Sequence, residues 1–211
     1  MEIIKGDKIK NETIEKLGRN FGGLMHALYT EITWLSFSFI EYVELYGTDK
    51  ERLVIMNKSA QVFFSMVQHI LRDNLFLGIA RITDPSESRG KKNMTIRAIP
   101  KFLDDAVFKI EIEKDLLDLK TKTRFCRDWR NRKIAHNDFD LMVNSNNAKP
   151  LEEATRIDLN NAIQKIYFIY NKVAIKCLAP ESEINFAGFE YSKGAKDLLA
   201  VMEKGLKFDK F

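Results

Sequence analysis

The sequence predicts an all-α protein, on three observations. Apolar residues recur at spacings of three and four over long segments, only four prolines and ten glycines punctuate 211 residues, and no strand-like alternation stands out. With 45% apolar and 30% charged residues, the chain has the composition of an ordinary globular protein. It is long enough for one well-filled core, or one core with a small appendage. The net charge of +4 is too small to argue for nucleic acid by itself, so only local clustering could do that.

The elements follow in order. Ile14, Leu17, Phe21, Leu24, Leu28, Ile32, Leu35, Phe39, Tyr42 and Tyr46 predict one amphipathic helix over residues 11–46, ended by Gly47. Gly22-Gly23 inside it either weakens the helix or lets a neighbour approach closely. Thr48-Asp49-Lys50-Glu51 reads as a capping box. The helix it opens has an apolar face of Leu53, Met56, Ala60, Phe64, Val67, Leu71, Leu75, Ile79 and Ile82, and stops at Asp84-Pro85. Two helices of about 35 residues, each roughly 50 Å long, joined by a tight turn make an antiparallel hairpin.

Residues 84–94 are a polar loop, and a short helix spans Ile96–Leu103 with Pro100 as an interruption. A long basic helix runs from Phe108 to Ala135. The Asn-rich stretch 137–154 is an irregular connection, and Thr155 with Asp158 opens a helix to Cys177 that Pro180 closes. The expected organisation is a bundle over residues 1–180 and a tail over 181–211 with one short helix, Lys193–Leu206.

Several function classes find no support. Cys126 and Cys177 match no metal-ligand spacing and fit a reducing cytoplasm. No signal peptide and no membrane-spanning run is seen, so a cytoplasmic location away from membranes is expected. The chain holds no Gly-rich phosphate loop, zinc spacing, nucleophile elbow or paired carboxylates, so no cofactor and no metal is expected.

The chemistry concentrates in Phe125–Asp140, FCRDWRNRKIAHNDFD. Seven basic residues (Lys120, Lys122, Arg124, Arg127, Arg130, Arg132 and Lys133) face one acid, Asp128, with Phe125 and Trp129 interleaved. That density is a footprint for a polyanion, and the competing reading is a solvated face balanced by the acids of 111–118 with Asp138 and Asp140. RNA cleavage asks for a base at the 2′-hydroxyl, an acid at the leaving oxygen and a cation at the phosphorane. Imidazoles suit the first two because they titrate near neutrality, and a guanidinium suits the third. His136 and Arg130 supply one of each. In a regular helix they would lie about 120° apart. Either the helix breaks before His136, or two subunits meet in a shared cleft and supply the second imidazole.

Arg130-Asn131, four residues and then His136 resemble the motif of the HEPN superfamily. With LFLGIARITDP (Leu75–Pro85), the MTIRAI segment that follows and FCRDWRNRKIAHND, the chain resembles the AbiU-type abortive-infection branch over roughly residues 10–180. The resemblance implies an antiparallel helical bundle, homodimerisation through the motif helices and a metal-independent endoribonuclease of an antiviral or toxin–antitoxin system. It makes Arg130 and His136 catalytic and Asn131 supporting. Toxins of this kind that a nucleotidyltransferase modifies carry a tyrosine two residues after the histidine. Here that position is Asp138, and such modification is not expected.

The resulting expectation is a dimeric endoribonuclease in which Lys120, Arg124, Arg127 and Lys133 hold RNA, with an antitoxin protein as a possible further partner. The alternative is a non-catalytic helical module that binds RNA or a protein partner. A second Arg-Asn before a histidine, Arg19-Asn20 and His26, reads as structural, as does His69. Arg72-Asp73 and Arg81 either support the site from behind or form ion pairs.

Overall fold

A computed structural model describes residues 2–47, 49–136, 138–143, 148–179, 184 and 194–208, with side chains from residue 8 onward. The helices are α1 (Glu2–Tyr46), α2 (Lys50–Thr83), a 3₁₀ helix (Ile96–Phe102), α3 (Ala106–Lys122), α4 (Arg124–Trp129), a π-helical turn (Arg130–Ile134), α5 (Phe139–Val143), α6 (Arg156–Cys177) and α7 (Ala195–Phe208). With 82% of the structure helical, the fold is all-α. Among the described residues, the only strands are β1 (Glu87–Ser88) and β2 (Lys91–Lys92), a ribbon the sequence did not announce. Arg89 and Gly90 both have positive φ (51° and 74°), the geometry of a two-residue hairpin turn. Among the described residues, no helix is long and apolar enough to cross a membrane.

The chain forms two compact units, residues 1–34 with 76–184, and residues 35–75 with 185–211. In the first, α1 is not the single rod that its apolar spacing predicts. Gly18 has φ 76° and ψ 163°, a region essentially open only to glycine, and the helix breaks there. The chain then reverses. A Cβ on Gly22 would stand 2.6 Å from Ile14 Cα and from Thr13 O, whereas eight residues of straight helix would separate these positions by about 12 Å. Gly22 is thus the glycine that admits a close neighbour. Nothing lies within 4 Å of the corresponding point on Gly23.

The first unit's core gathers Phe21, Met25, Leu28 and Ile32 of α1, Phe76, Ile79 and Ile82 of α2, Ile96 and Ile99 of the 3₁₀ helix, and the inward faces of α3, α4 and α6, all buried. Phe21 stacks on Phe102 with ring centroids 5.2 Å apart. Fully burying one such side chain stabilises by about 1.5–3 kcal/mol. Pro100 does not interrupt its helix. Thr95 caps the start through Arg97 N–H (2.9 Å), and the tighter 3₁₀ winding carries on to Phe102.

The basic helix expected over residues 108–135 is three pieces. Asp105 caps α3 by accepting from Val107 and Phe108 N–H. Thr123 (φ −110°, ψ 9°) ends it, its buried hydroxyl donating to Leu119 O at 2.8 Å. Thr155 and Asp158 form the predicted capping box of α6. Between α3 and α6 runs a ladder of ion pairs. Lys165 reaches Asp115 (2.9 Å) and Asp118 (3.1 Å), and Lys172 reaches Asp115 and Glu111 (both 3.1 Å).

In the second unit, Leu45, Met56, Phe64, Ala195 and Leu199 form a small core. Asp49 caps α2 by accepting from Arg52 N–H at 2.9 Å, while Thr48 of the predicted box lies outside the described residues. Helical geometry is interrupted at Ala60 (φ −161°, ψ 68°), and of the predicted apolar face Leu53 and Ala60 are exposed. The tail's helix, α7, packs on this core, and Glu41 accepts from Ala195 N–H at 2.8 Å. Pro180 and Lys193, read as end and start signals, lie outside the described residues.

Two stability outcomes follow. Gly22→Ala places a methyl into the backbone of residues 13–14 and should destabilise the fold by about 1–3 kcal/mol, read from urea unfolding, with Gly23→Ala as the tolerated control. For the ladder, burial pushes the Asp115 carboxyl up, but hydrogen bonds from Lys165 and Lys172 outweigh this and hold it below its usual value of 3.8. A depressed carboxylate contributes stability above its unfolded pKa and loses it as pH falls through the folded one. The stability gap between wild type and Asp115→Asn should therefore hold through the neutral range and close below pH 3.8.

Candidate active site

The site is built where α4 gives way to the π-helical turn. Ala135 N–H donates to Arg130 O at 2.8 Å, spanning five residues instead of four. Asp138 N–H then reaches Arg132 O at 3.0 Å. One surplus residue is thereby taken into the turn, a distortion often found at functional positions. Regular winding ends at Ile134, before His136. The helix thus breaks before His136, as the first of the two alternatives requires, and the 120° separation of a regular helix does not apply.

Arg130 opens the turn. Its Nη1 donates to Asp84 Oδ2 at 2.6 Å and its Nε to Asn131 Oδ1 at 3.0 Å. Asp84 follows the last residue of α2 and precedes Pro85. The neighbouring Thr83 hydroxyl accepts from Arg127 Nη1 at 3.0 Å and donates to Ile79 O at 2.7 Å. Arg127 Nη2 donates to Lys120 O at 2.7 Å. Burial pushes the Arg127 guanidinium down from its ordinary value, Asp84 offsets this, and the like charges of Arg97 and Arg130 add to it. The end of α2 thus holds two guanidiniums, one on Thr83 and one on Asp84. His136 is exposed, two residues past the turn.

The other flank of the same helix is strapped down. Trp129 Nε1 donates to Glu152 O (2.8 Å), Glu152 N–H donates to Asp128 Oδ2 (2.9 Å), and Arg132 donates to the carbonyls of Lys149 and Pro150. Arg124 pairs with Glu152 at 2.8 Å, and Lys133 lies 5.0 Å over the Trp129 ring. Residues 149–152, which sequence reasoning treated only as connection, are therefore part of the site's frame. The aromatics interleaved in the basic run turn inward. Phe125 is buried, and both it and Trp129 pack on Phe76, with centroids 5.8 Å and 5.0 Å away.

The sequence-nominated residues therefore separate. Arg130 and Asn131 are joined by a hydrogen bond, and Arg127 and Lys120 lie on the same side. Arg124 and Lys133 are engaged with Glu152 and Trp129 on the strapped side. The solvated-face reading is met in part: Asp118 meets Lys122 and Asp138 meets Arg132, whereas Glu111 and Asp115 are taken by α6 and Asp118 is shared with Lys165. Arg72 pairs with Asp73 on α2, and Arg81 pairs with Glu31 of α1 at 3.2 Å. His69 is exposed on α2, and Arg19 and Asn20 are exposed just after the Gly18 break. Burial pushes the Cys126 thiol well up, so it is an unreactive core residue. Among the described residues, no group of three or more His, Cys, Asp or Glu converges.

A family model described as AbiU2, of the HEPN superfamily, matches residues 19–177, more than half of the chain. The match contains α2, α3, α4, the π-helical turn and α6, and begins immediately after Gly18. No curated protein and no solved structure matches the chain.

The Arg130 and Asp84 side chains are 25% and 23% exposed, between a surface pair and a buried one. A double-mutant cycle of Asp84→Ala and Arg130→Ala should give a coupling energy of about 1–2 kcal/mol in urea unfolding. Strict additivity would mean that the pair does not hold the turn.

Proposed function

The chain belongs to the AbiU2 family of abortive-infection-associated HEPN domains, and on that footing we propose that it is a metal-independent endoribonuclease. Arg130, Asn131 and His136 are its reacting residues, and a second protomer supplies the matching set. His136 takes or gives the proton at the 2′-hydroxyl or the leaving oxygen, with its symmetry mate in the complementary role. Arg130 stabilises the phosphorane. Asn131, which accepts from Arg130 Nε at 3.0 Å, orients that guanidinium. RNA is held by the basic residues beside the turn. The partner chain, an antitoxin protein and a cytoplasmic setting belong to the same proposal.

The observation that carries this reading is the π-helical turn. It fixes a half-buried guanidinium at its start and releases an exposed imidazole just beyond its end. A histidine serving only to fill the core would be enclosed, and this one is exposed.

One feature favours the rival reading, a helical module that binds RNA or a protein without cutting. Arg130 already has a carboxylate partner, as a purely structural arginine would. The two readings part on one comparison. His136→Ala should remove cleavage of RNA by the purified protein while its circular dichroism and thermal midpoint stay unchanged, and EDTA should leave wild-type cleavage intact. Cleavage equal in the mutant and wild type would remove His136 from the mechanism. RNA bound intact by both proteins would establish the rival.

A further inference from the structure

A shallow groove of about 350 Å³ opens on the first unit beside the 3₁₀ helix and α3. Arg97 and Lys101 line it from the 3₁₀ helix and Lys120 from α3, with Glu113 as the one carboxylate of its lining. The two-thirds-exposed Leu117 adds apolar surface. Among the described residues, Arg97, Lys101 and Lys120 have no ion-pair partner, unlike Arg124 with Glu152 or Arg81 with Glu31.

The groove is joined to the active site. Lys120, at its α3 wall, accepts through its carbonyl from Arg127, and Arg127 donates in turn to Thr83, one residue before the carboxylate that holds Arg130. Arg97 and Arg130 both act on Arg127 as like charges. The run from Lys101 through Arg97, Lys120 and Arg127 to Arg130 therefore holds five cations, with Glu113 and Asp84 as its carboxylates. A set of like charges that its own carboxylates only partly neutralise is a standing site for an extended anion. A positively charged groove with apolar surface for base faces is the form that single strands use.

We propose that this groove binds the phosphate backbone of single-stranded RNA beside the scissile bond, through Arg97, Lys101 and Lys120, and leads the strand to Arg130. The identity of the ligand rests on the reading of the site as an RNA-cutting one, and the charge of the groove does not. The assignment places the substrate's path on the 3₁₀ helix, outside the motif segment, and makes Arg97 and Lys101 RNA-contacting residues.

The test uses the full chain carrying His136→Ala, so that RNA survives, and a fluorescein-labelled single-stranded RNA read by anisotropy over a salt series. Single strands lose binding with a slope of about −0.7 per phosphate contact in log K against log salt. Adding Arg97→Ala, Lys101→Ala and Lys120→Ala together should make the slope shallower by about 2, with the thermal midpoint unchanged. Glu113→Gln, which removes a charge of the opposite sign, should tighten binding. An unchanged slope in the triple variant, or no RNA binding at low salt before it is made, overturns the groove. If wild type proves unable to cleave RNA while the slope still drops, the groove stands and the nuclease reading falls. If wild type cleaves and the slope does not move, the reverse holds.

Discussion

The contact between Asp84 and Arg130 is where the chemistry of this molecule is fastened to its fold. A guanidinium that is three-quarters buried needs a partner, because removing it from water unpaired costs several kcal/mol. Asp84 supplies that partner at 2.6 Å from the first residue past α2. Thr83, one position earlier, takes Arg127. These two bonds bind the end of α2 to the start of the π-helical turn, and they make the aberrant winding there a held geometry rather than a frayed end. On the opposite flank, Asp128, Trp129 and Arg132 hold residues 149–152. The turn is clamped from both sides, and the imidazole leaves it unclamped.

Charge is divided with the same economy. The acidic face of α3 is directed at Lys165 and Lys172 of α6, where it contributes to packing and has little left for the basic residues that follow in sequence. Counting charges along the chain therefore understates the local excess near Arg127. The partners of a charge are set by which helix faces which, and linear order does not give that. The same division explains why seven neighbouring basic residues serve different ends. Arg132 bridges Asp128 (3.6 Å) and Asp138 (3.8 Å), Lys122 meets Asp118, and Lys120 remains beside the groove.

The all-α class and most element positions were legible because the apolar residues of α6 keep one phase throughout, and because Thr155 and Pro85 mark boundaries chemically. Breaks inside elements were not. Gly18 and Ala60 sit in patterns that still look periodic on either side, and periodicity cannot distinguish a straight helix from one that folds back on itself. Pro100 misled in the other direction, since a 3₁₀ helix tolerates what an α-helix does not. At the site, Arg130 was legible as the arginine of the Arg130-Asn131 pair set before His136. Its partner Asp84 was not, because it lies 46 residues away and was noticed only as the residue before a proline. The packing of Phe125 and Trp129 on Phe76 was missed for a related reason. Phe76, on which both rings pack, belongs to α2 and is remote in sequence.

Asp84 has a second duty, because the residue that presents the carboxylate is also the one at which α2 stops. Pro85 pushes its predecessor out of helical geometry, so the place of the charge is tied to the place of the stop. One residue of helix corresponds to about 1.5 Å of rise and 100° of rotation. Lengthening or shortening the last turns of α2 by a single residue would swing both Thr83 and Asp84 away from their guanidiniums together. This segment is therefore a ruler whose graduation is one amino acid, and point substitutions along its length should be far better tolerated than any insertion or deletion.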